Sequence, residues 1–195
     1  MTEFVIPSRE AGYATLCEFT KNENLIKHGL AVEACMRALA RHYGEDEEKW
    51  ATVGILHDFD YERFPEIPQH ATEGAKILRE RGWPEDIVTA ILGHATYTGV
   101  PRESLMAKAL FAVDELSGFM IGVALVRPDK SFRSMKVKSV KKKLKDKAFC
   151  RAVNRDEVRQ GAEELGWELD DLIEFLINAL GEVEEDLGLG AAATG

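Results

Sequence analysis

At 195 residues and 45% hydrophobic, the chain is long and apolar enough to bury one substantial core. A net charge of −9 speaks against general binding to nucleic-acid polymers. Three separated cysteines, Cys17, Cys35 and Cys150, without a C-x-x-C pair, argue against a disulfide framework or zinc ribbon and for a reducing compartment. With no signal-peptide layout at the N-terminus, and with the longest apolar run (Phe119 to Val126) too short for a bilayer, a cytoplasmic location is expected.

The elements predicted in chain order are helical almost throughout. Leu25, His28, Val32, Cys35 and Leu39 share one face of a first long helix, with Asn24 as N-cap and Gly44 as stop. A second helix runs from about Glu45 to Asp58, with Trp50, Val53 and His57 aligned. After a loop punctuated by Pro65 and Pro68, a third starts near His70 and ends at Gly82. Pro84 suits the first turn of a fourth, on which Ile87, Ile91 and His94 align. Ser104 caps a fifth, with Ala107, Leu110 and Asp114 in register; Phe119 to Val126, apolar all round, reads as a further buried helix. A basic helix begins near Lys136, Asn154 caps another containing Val158 and Leu165, and the last runs from Leu169 to Leu187. No strand alternation, internal repeat or Gly/Ser linker is visible. The expectation is one all-α domain over 1–195, with a core at about 22–127 and the helices at about 128–188 as an extension. The final GLGAAATG reads as frayed.

Four of the five histidines, His28, His57, His70 and His94, fall on these apolar faces together with Asp58 and Asp114. A buried imidazole or carboxylate is costly unless paired or liganded, and a divalent metal supplies both charge and directional bonds. His28, His57, Asp58 and Asp114 can hold one ion. Asp58 can bridge to a second ion held by His70 and His94, and two ions about 3.5–4 Å apart can clamp the attacking and leaving oxygens of a displacement. His42, at a helix end where an imidazolium suits the dipole, stands outside this set.

This order resembles the HD-domain superfamily of metal-dependent phosphohydrolases. The stretch Gly54-Ile55-Leu56-His57-Asp58-Phe59-Asp60-Tyr61-Glu62, followed by Pro65, His70 and Gly74, is similar to its HDIG-type branch. The resemblance covers about residues 25 to 115 through motifs, and less specifically Ala124 to Pro128 and Ser139 to Lys143. It implies an all-α helical bundle with a metal at its centre. It also implies His28, His57, Asp58 and Asp114 as primary ligands, with His70 and His94 matching the extra histidines of binuclear members. The chain departs from the cyclic-dinucleotide branch: Ala95-Thr96 follows His94 where that branch pairs histidines, and no Gly-Tyr-Pro motif occurs.

The activity expected is hydrolysis of a phosphate ester of a nucleotide or small metabolite by metal-activated water, with one or two ions (Mn, Fe, Ni, Zn or Mg) per chain. Besides Asp58, Asp60 and Glu62 are candidates to orient water or act as an acid. Arg127, Lys130, Lys138 and Lys142, in a concentrated basic segment, are candidates to meet a small phosphorylated substrate, against the alternative of a solvated helix face. The same ligand order also resembles the di-iron oxygenases of the superfamily, which act on polyols or phosphonates. A non-catalytic metal-bound sensing module is the third reading. No membrane or nucleic-acid-polymer partner is expected, and the apolar last helix suits a homodimer contact as well as the core.

Overall fold

The computed structural model describes residues 7–190, and every regular element among them is a helix. Chain contacts divide the protein into two units, Met1–Phe111 and Ala112–Gly195.

In the first unit the central element is α2 (Glu23–Tyr43). Asn22, not Asn24, is its N-cap: the Asn22 side chain accepts from the Asn24 N–H, so the helix starts two residues earlier than the apolar pattern shows. Gly44, at φ 71, takes the left-handed C-cap that a β-carbon would disfavour. The buried stripe Val32, Cys35, Met36 and Leu39 faces the core, and truncating Leu39, which is fully buried, would cost about 2–5 kcal/mol.

A helix not expected from the sequence precedes it, α1 (Arg9–Phe19), capped by Ser8. Its buried residues Gly12, Thr15, Leu16 and Phe19 follow helical spacing, and the Arg9 guanidinium clips it to α2 through both oxygens of Glu33 at 2.8 and 2.9 Å. Helix α3 (Glu47–Leu56), capped by Asp46, packs on both α1 and α2. Its approach to α2 is close: a β-carbon on Gly54 would lie 2.9 Å from the backbone of Glu33.

Helix α4 (Gln69–Glu80) is broken in its first turn, where His70 is extended and Ala71 has φ 59, ψ −38. Positive φ in a residue with a β-carbon is costly, and here it turns the chain immediately after a candidate ligand. Helix α5 (Glu85–His94) packs against α4 and α3. Pro84 sits one place before it, not inside its first turn. The two helices expected around Ser104 and Phe119 are a single one, α6 (Leu105–Leu125), along which the boundary between the units falls.

The second unit continues from α6 into α7 (Val137–Lys145), α8 (Arg155–Leu165) and α9 (Leu169–Glu182). Both α7 and α8 pack on α9. Asn154 caps α8 through the Asp156 and Glu157 N–H groups. Helix α9 stops at Glu182, short of the apolar pattern's reach to Leu187. The buried Glu184 carboxylate just beyond it accepts from the Phe132 N–H at 2.7 Å and from the Ser131 hydroxyl, which holds the chain in a turn. No helix among the described residues is long and apolar enough to cross a membrane.

Candidate metal centre

Helix ends build this site. His57 is the C-cap of α3 and His94 the last residue of α5. At such ends the final carbonyls lack intrahelical partners. The imidazoles use this: Nδ1–H of His57 donates to the Gly54 carbonyl at 2.7 Å, and Nδ1–H of His94 to the Ile91 carbonyl at 2.5 Å. The same three-residue step back thus satisfies a carbonyl, fixes the tautomer and leaves each Nε2 lone pair facing outward from its helix. His70, in the broken turn of α4, is oriented differently. Its Nδ1 faces the Asp60 carboxylate at 3.0 Å.

These Nε2 atoms converge on Asp58, the residue after the α3 cap. One Asp58 oxygen, Oδ1, lies 3.1 Å from His70 Nε2 and 3.2 Å from His94 Nε2. The other, Oδ2, lies 3.5 Å from His57 Nε2 and 3.8 Å from His28 Nε2. His28, on the half-buried edge of α2, brings its Nε2 to 3.2 Å from that of His57. Two imidazole nitrogens at that distance both face the same space, which a single proton or cation has to share.

The donors fit a divalent ion. Ligands bound at about 2.0–2.2 Å to one ion lie about 3–3.5 Å apart in tetrahedral or octahedral geometry. The donor atoms of Asp58, His70 and His94 lie within 4.8 Å of one another, and so do those of His28, His57 and Asp58. Imidazole with carboxylate suits Zn, Mn, Fe and Ni. The electrostatics agree. Burial pushes the Asp58 carboxyl toward protonation, but the facing imidazoles, His57 first, outweigh it and hold its pKa well below the carboxylate range. Burial likewise disfavours charge on His70, yet its hydrogen bonds to Asp58 and Asp60 raise it to about 9. Surroundings that draw a proton onto this ring draw other cations to the same lone pair.

Asp60 is buried, with both oxygens committed: Oδ1 to His70 and Oδ2 to the Gly74 N–H at 2.9 Å. A β-carbon at position 74 would lie 2.7 Å from the carboxylate, so glycine is what admits it. That placement suits orienting His70 better than handling water. Glu62 is exposed and accepts from the N–H groups of Lys21 and Asn22, at the entry to α2.

The sequence did not point to Tyr61 and Tyr97. The Tyr61 ring meets His70 edge to face at 5.1 Å, and the Tyr97 hydroxyl donates to the His70 carbonyl at 3.1 Å. Burial, then Asp60 and Asp58, push the Tyr97 hydroxyl up to about 12. The signal available was position: each tyrosine follows Asp58 or His94 by three residues, at a helix end.

The remaining candidates lie in the second unit. Asp114 is half-buried on α6, its carbonyl accepting from the Ser117 hydroxyl. Arg127 pairs with Asp129 at 3.2 Å and donates to Ser134, and Lys130, Lys138 and Lys142 are exposed.

The HD domain model matches residues 25–118. Ribonuclease Y of Oleidesulfovibrio alaskensis is 31% identical over 98 residues, 50% of this chain and 18% of that protein. Ribonuclease Y of Lawsonia intracellularis is 32% identical over 104 residues, 53% of this chain and 20% of the relative. This chain therefore spans about a fifth of the length of the curated relatives it matches. No solved structure matches it significantly. Ordered histidines and aspartates, an all-helical fold and these matches agree: through residues 25–118 the chain belongs to the HD-domain superfamily of metal-dependent phosphohydrolases.

Proposed function

We propose that this HD domain hydrolyses a phosphate ester of a nucleotide or other small metabolite, using one or two divalent ions. The observation that carries the reading is the division of Asp58, with Oδ1 facing His70 and His94 and Oδ2 facing His57 and His28. A carboxylate so divided suits a bridge between two ions. His28, His57 and Asp58 would hold the first, with Asp114 as the fourth ligand that the family pattern implies; Asp58, His70 and His94 would hold the second. Ions bound there supply charge stabilisation to the phosphoryl oxygens and acidify water. The protein's part is positional. Gly54, Ile91 and Asp60 fix three imidazoles through Nδ1, so that each Nε2 needs little reorganisation to bind. The reading does not depend on Arg127, Lys130, Lys138 or Lys142.

Metal content by mass spectrometry, measured alongside hydrolysis of p-nitrophenyl phosphate and its bis-ester, tests it. Wild type is expected to retain metal and to turn over. Asp58→Ala is expected to lose both while keeping its helical circular dichroism, and turnover surviving in that variant overturns the reading. Iron as the resident metal with oxygen uptake on a phosphonate or polyol would instead establish the oxygenase.

A second reading, cleavage of RNA, is favoured by the relatives' being ribonucleases Y. End-labelled RNA and a mononucleotide, compared as substrates of the same preparation, separate the two.

A further inference from the structure

We infer that the second unit carries a binding site of its own for an organic polyphosphate, formed by α7, α8 and the segment between them. A cavity of about 570 Å³ is lined there by Lys145, Lys147, Arg151, Arg155 and Arg159, with Asp156 as the one acidic side chain. These cations come from the end of α7, from the connecting segment and from α8. A solvated helix face accounts for lysines such as Lys138 and Lys142 along α7, but not for convergence from three segments on one hollow.

The five are not equivalent. Arg159 is paired with Asp156 at 2.8 Å. Arg155 is locked in place by backbone carbonyls: its Nη1 donates to Cys150 at 2.6 Å and Val153 at 2.7 Å, and its Nη2 to Phe149 and Asp146. Its Nε–H is buried without an acceptor. Lys145, Lys147 and Arg151 have no carboxylate within ion-pairing distance among the described residues. Three uncommitted cations beside a fixed fourth repel one another, and an anion of two or more charges removes that repulsion. The α8 N-terminus is not the attraction, since Asn154 already caps it.

A smaller cavity of about 150 Å³ adjoins the first and shares Leu144, Lys145, Arg155 and Arg159 with it. Its remaining lining is Lys141, Val158 and Leu169. A ligand with phosphates at one end and an apolar or planar body at the other fits the pair: the phosphates on Lys145, Lys147 and Arg151, the body against the leucines and Val158. A nucleoside triphosphate has this chemistry. The inference is independent of the reaction at the HD centre.

Calorimetric titration of the full chain, in buffer free of divalent metal, with the β,γ-imido analogue of ATP, and with inorganic tripolyphosphate, tests it. The analogue is expected to bind, and tripolyphosphate to bind more weakly. Lys145→Glu/Arg151→Glu should weaken the analogue at least about tenfold, the equivalent of about 1.4 kcal/mol. Lys76→Glu/Lys136→Glu, which changes net charge equally at exposed positions away from the cavity lining, should leave it unchanged. The site is overturned if the analogue fails to bind, or if Asp58→Ala abolishes binding while Lys145→Glu/Arg151→Glu keeps it. Equal loss in both charge-reversed pairs overturns it too, because it means diffuse attraction. Equal affinity for tripolyphosphate removes the apolar half of the assignment.

Discussion

The two units handle charge in opposite ways. In the first, the ionisable groups that matter are turned inward and each is held by a named neighbour: His57 by Gly54, His94 by Ile91, His70 by Asp60 and Asp60 by Gly74. In the second, the cations around the α7–α8 cavity face solvent, and only Arg155 is anchored on several carbonyls. Burial explains the contrast. A buried polar group without a partner costs several kcal/mol, so the fold has to supply each partner, and the centre is preorganised as a result. An exposed lysine needs no partner, so its position is left loose until a ligand recruits it.

The comparison breaks most severely at Asp58, where alanine should remove the carboxylate that all four imidazoles face and take hydrolysis to background. Next in size is Asp60→Asn. An amide can still accept from the Gly74 N–H, but it turns an NH₂ toward His70 Nδ1 and so favours the proton on Nε2, the wrong tautomer for a ligand. Metal affinity should fall about 10- to 100-fold with little loss of helicity, read by competition with a chromophoric chelator. Affinity equal to wild type would show that Asp60 does not position the ring.

Gly54→Ala tests the packing beneath the centre. The added β-carbon meets the Glu33 backbone, which cannot swing aside as a side chain would, so about 1–3 kcal/mol of stability should be lost in urea unfolding. The smallest effect belongs to the surface pair of Arg81 and Glu18, a bidentate contact at 2.8 Å. The hydrogen bond to Arg81 holds the Glu18 carboxyl below its usual range, against the opposing pull of burial. A depressed carboxyl lends stability that is complete above its unfolded value of about 4.3 and is lost as pH falls through the lower folded value. The Tm difference between wild type and Glu18→Gln should therefore be small at neutral pH and vanish in acid. A difference that grows with acidification contradicts the assignment.

Much of the first unit was legible beforehand because burial leaves a periodic trace. His28 and His94 sit on apolar stripes, and the helices carrying them lie close to where spacing placed them. Helix α1 escaped although Gly12, Leu16 and Phe19 have helical spacing, because charged and small residues dilute its stripe. The run from Leu105 to Leu125 reads as two helices because an apolar stretch without a breaker carries no mark of continuity. Asp60 and Tyr97 were hard to place for another reason: a carboxylate or tyrosine in a turn shows no periodicity, and whether it faces inward depends on what approaches it. The basic segment exposed the same limit. Its composition indicated an anionic ligand, but the cations that line the α7–α8 cavity are Lys145, Lys147, Arg151, Arg155 and Arg159, and none of the four singled out from the pattern is among them.

By itself, then, the sequence determined the chemistry on offer: which imidazoles and carboxylates exist, on which helices, in what order, and from these the superfamily. Tertiary structure alone decided which Asp58 oxygen faces which ring, which nitrogen of each imidazole is anchored, and which cations converge. Residue type and helical periodicity are local properties of the chain. Distances of about 3 Å between side chains tens of residues apart arise only when separate helices pack, and small glycines such as Gly54 and Gly74 set how closely they do so.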